Sequence, residues 1–288
     1  MTYQIFFRSL VMLLGIILPS LSWGQGQITR PSQTTSKKSQ SNKKVEPILP
    51  NSTETINGIT VNWNGVTQNQ KSAISCLLNN LVYVQGGSYM MGYDNSDASK
   101  DEKPVHPETV RSFRIDKFEV TQKLWQAVMG NNPSNFTGEN LPVDNVSRND
   151  CQNFIKKLNR LTGLNFRLPT EVEWEYAARG GNKSKGYKYS GGDTLNNVAW
   201  YYNNSGQTTH PVGSKSPNEL GIYDMTGNVY EWTSDNYSSD YNSPRNKESY
   251  VHRGGAWISL NTASRVSQRE YFFSPTTRSS FLGFRLVL

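Results

Sequence analysis

Sulfur and imidazole are scarce in this chain. Its 288 residues include two cysteines, Cys76 and Cys151, and three scattered histidines, His106, His210 and His252. No CxxC or Cys/His spacing occurs, which argues against a zinc module. Two readings of the cysteines stand open: a bridge closing a long loop, worth roughly 4 kcal/mol in an oxidising compartment, or two separate thiols. The GxSxG nucleophile elbow is also missing, so a serine hydrolase of that kind is not indicated. His252 lies close to Ser259 in sequence, and a structural role for it is the simpler reading.

Long apolar runs are equally rare. The run Leu10–Leu18 is about half of what a bilayer crossing needs. It follows Arg8 and precedes Pro19 and the small residues of Ser22-Trp23-Gly24, the pattern of a cleaved export leader over residues 1–24. No cysteine follows the run, so a lipid anchor is not expected. The mature chain is expected to work outside the cytoplasm, secreted or in the periplasm or cell envelope. Membrane association is expected only through a partner.

The folded part also lacks a charge excess. The net charge of +7 is concentrated in a tail, because residues 1–50 hold six of the 30 basic residues and one of the 23 acidic ones. Beyond residue 50 that leaves 24 basic against 22 acidic residues. A nucleic-acid partner needs a basic surface on the domain itself, and none is expected. Residues 25–58, rich in Ser, Thr, Gln and Lys, read as a flexible basic tether with too few apolar groups to order itself. The folded domain is expected over residues 59–288.

What the chain does have is glycine and aromatic surface: 23 Gly, seven Trp and fifteen Tyr. Large rings bury much area each, and few long helical runs are present, which points to a loop-rich α+β domain. Ile59–Trp63 alternates as a strand does. Thr67 and Gln70 form a capping box ahead of Ala73, Ile74, Leu77 and Leu78 at helical spacing. Leu81–Tyr93 reads as a hairpin with Gly86-Gly87 in its turn, and Phe113–Val120 as a strand. Thr121 caps a short helix that Gly130 ends. A stronger helix spans Asn149–Leu161 and stops at Gly163. Thr170 and Glu173 form a further capping box, with Gly180-Gly181 closing that helix. The remainder reads mostly as loop, with strand candidates at His252–Ile258 and Phe284–Leu288.

Seven segments then occur in one order: YVQGGSYMMG (83–92), IDKFEVT (115–121), LPVDNVSRNDC (141–151), RLPTEVEWEYAARGG (167–181), GIYDMTGNVYEWTSD (221–235), RGGAW (253–257) and LGFRLVL (282–288). Together they resemble the formylglycine-generating enzyme, or sulfatase-modifying factor, domain family. The resemblance implies an irregular, loop-rich, C-type-lectin-like α+β fold. It also implies an oxidase that converts a sulfatase cysteine to formylglycine, using two cysteines after the GG-aromatic motif to hold copper(I). Aligned on the glycines, those two positions are Ser259 and Ser264 here. Copper(I) selects soft thiolates, and a neutral hydroxyl neither replaces them nor forms a disulfide with substrate. Copper and formylglycine formation are therefore not expected, and neither Cys76 nor Cys151 lies in this segment.

The resemblance further implies a calcium site in 221–231, with Asp224, the carbonyls of Gly227 and Val229, and Glu231 as ligands. Hard oxygens on a glycine-containing loop suit calcium. The alternative is that the two acids bond loop amides. A second family site would begin at Asn197 and the Val198 carbonyl, but its later acid has no clear match. Trp257 and Arg265, beside the two serines, are the candidates for lining a groove. Arg253, Arg265, Arg269 and Arg285 are expected to pair with acids such as Glu173 and Glu231. The function expected is a binding or scaffold module for a protein or glycan. An enzyme of this family with a non-standard site is the alternative, and the EPN/QPD and WND sugar-reading signatures are absent.

Overall fold

The structure, a computed structural model, describes residues 46–271 and 273–288. The expected leader and residues 25–45 of the expected tether lie outside these. Order begins earlier than residue 59: strand β1 (Ser52–Ile56) pairs antiparallel with β2 (Ile59–Trp63), in register from Ser52–Trp63 to Ile56–Ile59. The cause is the Asn57-Gly58 turn, whose two residues have φ of 51° and 71°. That left-handed pair matches the right-handed twist of a two-residue hairpin. Asn57 then donates to the carbonyls of Leu78 and Leu81, tying the hairpin to the next helix.

Helix α1 (Gln68–Asn80) carries the expected Thr67/Gln70 box and buries Ala73, Ile74, Leu77 and Leu78. Two short ladders follow. Strand β3 (Leu81–Val84) pairs with β6 (Phe113–Asp116), and β4 (Gly87–Met91) pairs with β5 (His106–Val110). The hairpin expected over 81–93 is therefore wrong, since β3 and β4 belong to different ladders. Gly86 is a crossing point and not a turn. A Cβ there would lie 2.4 Å from the Val110 carbonyl oxygen, and its N–H donates to the Ser112 hydroxyl.

Helices α2 (Gln122–Met129) and α3 (Arg148–Thr162) end on left-handed Gly130 and Gly163, as expected. Helix α4 (Glu171–Ala178) begins at the Thr170/Glu173 box, and α5 (Leu195–Val198) is one turn. The main sheet has strand order β10-β7-β8-β9, formed by Leu282–Gly283, Tyr230–Tyr237, Asn246–Arg253 and Arg269–Glu270. Its two longest strands fall where loop was expected. Tyr230–Thr233 is buried at every position, so the alternation that betrays a half-exposed strand never appears. The strand expected at His252–Ile258 lies instead upstream, since the left-handed Gly254 and Gly255 end β8.

Segment 284–288 closes the domain without being a regular strand. Val287 exchanges backbone bonds with Arg167, and Leu288 with Arg114. Phe284 meets Trp125 and Phe154 in the main core, with ring centroids at 6.1 and 5.5 Å. Cys76 is exposed on α1 and Cys151 is buried on α3, and both are free thiols. Burial holds the Cys151 thiol well above its ordinary pKa. A thiol reagent should therefore modify one group per native chain, at Cys76, and the second only in denaturant. A bridged pair would give no reactive thiol in either state.

Candidate functional site

The segment after Gly254-Gly255 folds back on itself through a short turn of helix at Asn261–Ala263. Ser259 is 6% exposed and Ser264 fully buried. The Ser259 hydroxyl accepts from the Ala256 N–H at 2.9 Å and donates to the Tyr230 hydroxyl at 2.9 Å. Ser264 donates to the Leu260 carbonyl at 3.1 Å. Both oxygens thus serve the loop's own shape. Around them lie the half-buried Trp257, whose Nε1 donates to Ser280, and two exposed side chains, Leu260 and Tyr202. Tyr202 is fixed there by its N–H to the Ser259 carbonyl at 3.0 Å. No motif had pointed to Tyr202.

His252 stands behind Ser259 in an aromatic cage, with Tyr230, Trp232 and Phe273 centroids at 5.1–5.5 Å. Its Nδ1 has no hydrogen-bond partner. Burial pushes its pKa down to about 3, which suits the structural role expected.

Arg265 is 2% exposed, its guanidinium bonds Glu102 and Gln268, and it borders a depression with Tyr93, Arg179 and Lys188. The other three arginines are also inside. Arg253 pairs with Glu175 and donates to the Ser267 and Gln268 carbonyls. Arg269 grips Glu171 through two bonds of 2.6 and 2.9 Å. Arg285 grips Glu231 at 2.6 and 2.7 Å, and Trp174 Nε1 adds a third bond to that carboxylate at 2.7 Å. Of the acids expected as partners, Glu231 takes this role and Glu173 does not. Glu173 caps α4 and pairs with the half-exposed Arg167. Glu171 and Glu175, four apart on α4, share the inward face. Burial works against the Arg253 charge, and Glu175 and Glu171 outweigh it, holding its pKa above the usual value.

The 224–231 loop turns through left-handed Asp224, Gly227 and Asn228, with φ of 57°, 85° and 61°. Gly227 is required, because a Cβ would lie 2.3 Å from the Trp200 carbonyl oxygen. Asp224 is 3% exposed: Oδ2 accepts from the Gly213 N–H, and Oδ1 has no partner. Burial raises its pKa to about 6. An orphaned carboxylate oxygen fits a hard cation. Glu231 fits less well, since its oxygens already take three hydrogen bonds. Among the described residues no three His, Cys, Asp or Glu side chains converge as a metal group, so backbone carbonyls such as those of Gly227 and Val229 would have to complete a site. At the second position, the Asn197 carbonyl accepts from Ser216 and the Val198 side chain is buried with Leu195 and Tyr201. Asn197 borders an open depression with Lys215 and Tyr223 and no acid.

Comparison with known proteins gives the family. Residues 66–288 match the sulfatase-modifying factor enzyme 1-like domain, and the chain belongs to that family. It is 35% identical over 252 aligned residues to the chaperone protein LppX of Paenibacillus barcinonensis, covering 69% of this chain and 86% of that protein. It is 29% identical over 280 residues to inactive C-alpha-formylglycine-generating enzyme 2 of Bos taurus, covering 72% and 87%. Among solved structures, Treponema denticola variable protein 1 superposes with a TM-score of 0.63 at 31% identity, covering 82% of this chain and 98% of that one. The expected loop-rich, C-type-lectin-like α+β fold is thereby established. Among the described residues no helix is long and apolar enough to cross a membrane.

Two measurements check this picture. Glu175→Gln leaves Arg253 and Arg179 short of a counter-charge inside the protein and should cost about 3–5 kcal/mol in chemical denaturation. Arg167→Gln, at the half-exposed pair, should cost about 1 kcal/mol or less. His252 has a folded pKa below its unfolded one, so its contribution is complete above pH 6.5 and is lost as pH falls toward 3. Nitrogen NMR should find its ring neutral at pH 5, and His252→Phe should remove that part of the acid-side loss.

Proposed function

We propose that this chain is a non-catalytic member of its family, exported to the envelope or beyond, that holds a protein partner on the face around Ser259–Ser264. The observation that carries the reading is chemical. Both positions that would supply sulfur carry hydroxyls, and both hydroxyls are spent on the domain's own bonds, to Ala256 and the β7 residue Tyr230 from Ser259 and to Leu260 from Ser264. Oxygen of this kind gives copper(I) nothing soft to bind and gives substrate no disulfide partner. The exposed Tyr202 and Leu260, beside Trp257, offer aromatic and aliphatic surface for contact. The likeness to a chaperone and to an inactive relative supports a protein partner over a glycan. Calcium belongs to the reading as a structural ion at Asp224, the Gly227 and Val229 carbonyls and their acidic neighbours. It would supply positive charge to a buried loop and no chemistry.

Copper(I) titration with a cysteine-containing sulfatase peptide tests the catalytic half. The native chain should bind no stoichiometric copper and leave the peptide unoxidised; turnover would make it an oxidase. For the binding half, a photo-crosslinker placed at Tyr202 should trap one defined protein from the envelope fraction. Leu260→Asp should abolish that adduct while leaving the circular dichroism unchanged, and an unchanged adduct would move the binding face elsewhere.

A further inference from the structure

The depression bordered by Arg265 holds about 330 Å³ and brings three cations, Arg179, Lys188 and Arg265, to one wall system with Tyr93, Tyr187 and Asp193. A volume of this order suits a small organic molecule. The counter-charge that these cations have is divided. Glu175 serves two guanidiniums: its Oε2 takes Arg253 in the interior, and its Oε1 takes Arg179 Nε at 2.8 Å together with the Gly92 N–H at 2.9 Å. Exposed Asp97 likewise lies between two cations. Its Oδ2 accepts from Lys188 Nζ at 2.9 Å and stays 3.6 Å from Arg265 Nη1, too far for a hydrogen bond.

Glu102 takes Nε and Nη2 of Arg265, so Nη1 is left as a buried donor with no hydrogen-bond partner. An unmet guanidinium donor is costly, and an anionic oxygen is the acceptor that suits it best. The surroundings select among anions. Asp193 is held in the wall by the Lys188 N–H at 2.8 Å, and Asp97 stands at the same lysine. Two carboxylates this close repel a doubly charged ligand more than a singly charged one. Tyr93, over whose ring the Arg265 guanidinium lies at 5.4 Å, and Tyr187 supply aromatic surface for an uncharged body.

We propose that this depression binds a singly charged organic carboxylate with an aromatic or apolar body. The ligand's carboxylate is drawn to Arg179, Lys188 and Arg265, in competition with Asp97. The proposal does not depend on the contact face at Tyr202 and Leu260.

Benzoate, N-acetylphenylalanine, the neutral amide of the latter and inorganic phosphate, each titrated into the full chain at low salt and read by calorimetry and ligand-observed NMR, test it. At least one of the two acids should saturate a single site, and the amide should not bind. Binding of benzoate alone points to a free small acid, and binding of N-acetylphenylalanine alone to the carboxyl end of a peptide; either supports the proposal. Asp97→Asn removes the competing carboxylate and should tighten the acid roughly threefold or more, a gain that a misfolded variant cannot imitate. Lys188→Gln should weaken it by a similar factor. The proposal falls if neither acid saturates a site, if the amide or phosphate binds as well as the acids, or if the two variants leave the affinity unchanged.

Discussion

Four arginines of the C-terminal third, each held to a glutamate inside the protein, organise everything else in this domain. Arg253, Arg265, Arg269 and Arg285 are essentially without solvent contact, and so are Glu175, Glu102, Glu171 and Glu231. Such pairs add little net stability over apolar substitutes, but a lone member is severely penalised. The carboxylates are also shared: Glu175 takes Arg179 besides Arg253, and Glu171 lies 3.7 Å from Arg253 besides gripping Arg269. The arrangement suits a domain with little regular secondary structure, because the guanidinium N–H groups also satisfy loop carbonyls. Arg269 takes those of Asp101 and Ser238, and Arg253 those of Ser267 and Gln268. Loops that lack ladder partners are held by side chains instead.

That framework explains how a member of this family can exchange sulfur for oxygen and keep its shape. Ser259 and Ser264 lie between anchors, with Arg253 on one side and Arg265 and Arg269 on the other. The hydroxyls add bonds to Ala256, Tyr230 and Leu260, and the segment stays folded. The shape of this segment therefore does not depend on sulfur at these two positions.

Much of the scaffold was legible in the sequence where the signal is local. The Thr67 and Thr170 boxes and the glycines at 130 and 163 act within one turn of chain, and they mark the helices correctly. Signals that need a distant partner mislead. Gly86-Gly87 looks like a turn until the 110–112 segment arrives against it. β7 carries no alternation because both of its faces are covered. The Asn57-Gly58 hairpin carries a local signal, but the polar composition of the preceding tail points the other way. In the site, the chemistry of Ser259 and Ser264 could be argued from their element alone. The roles of Glu102, Glu171 and Glu175 could not, for their partners lie 78 to 163 residues away. The i,i+4 spacing of Glu171 and Glu175 was the clue available.

The threading of residues 284–288 between Arg114 and Arg167 has a kinetic meaning. Synthesis from the N-terminus delivers β6 long before its second neighbour exists. Until then one edge of β6 stays open, able to join any extended segment nearby. Closure comes late and must draw together stretches more than 100 residues apart, which slows the search. Until residues 284–288 arrive, that uncovered edge is where a wrong pairing would form.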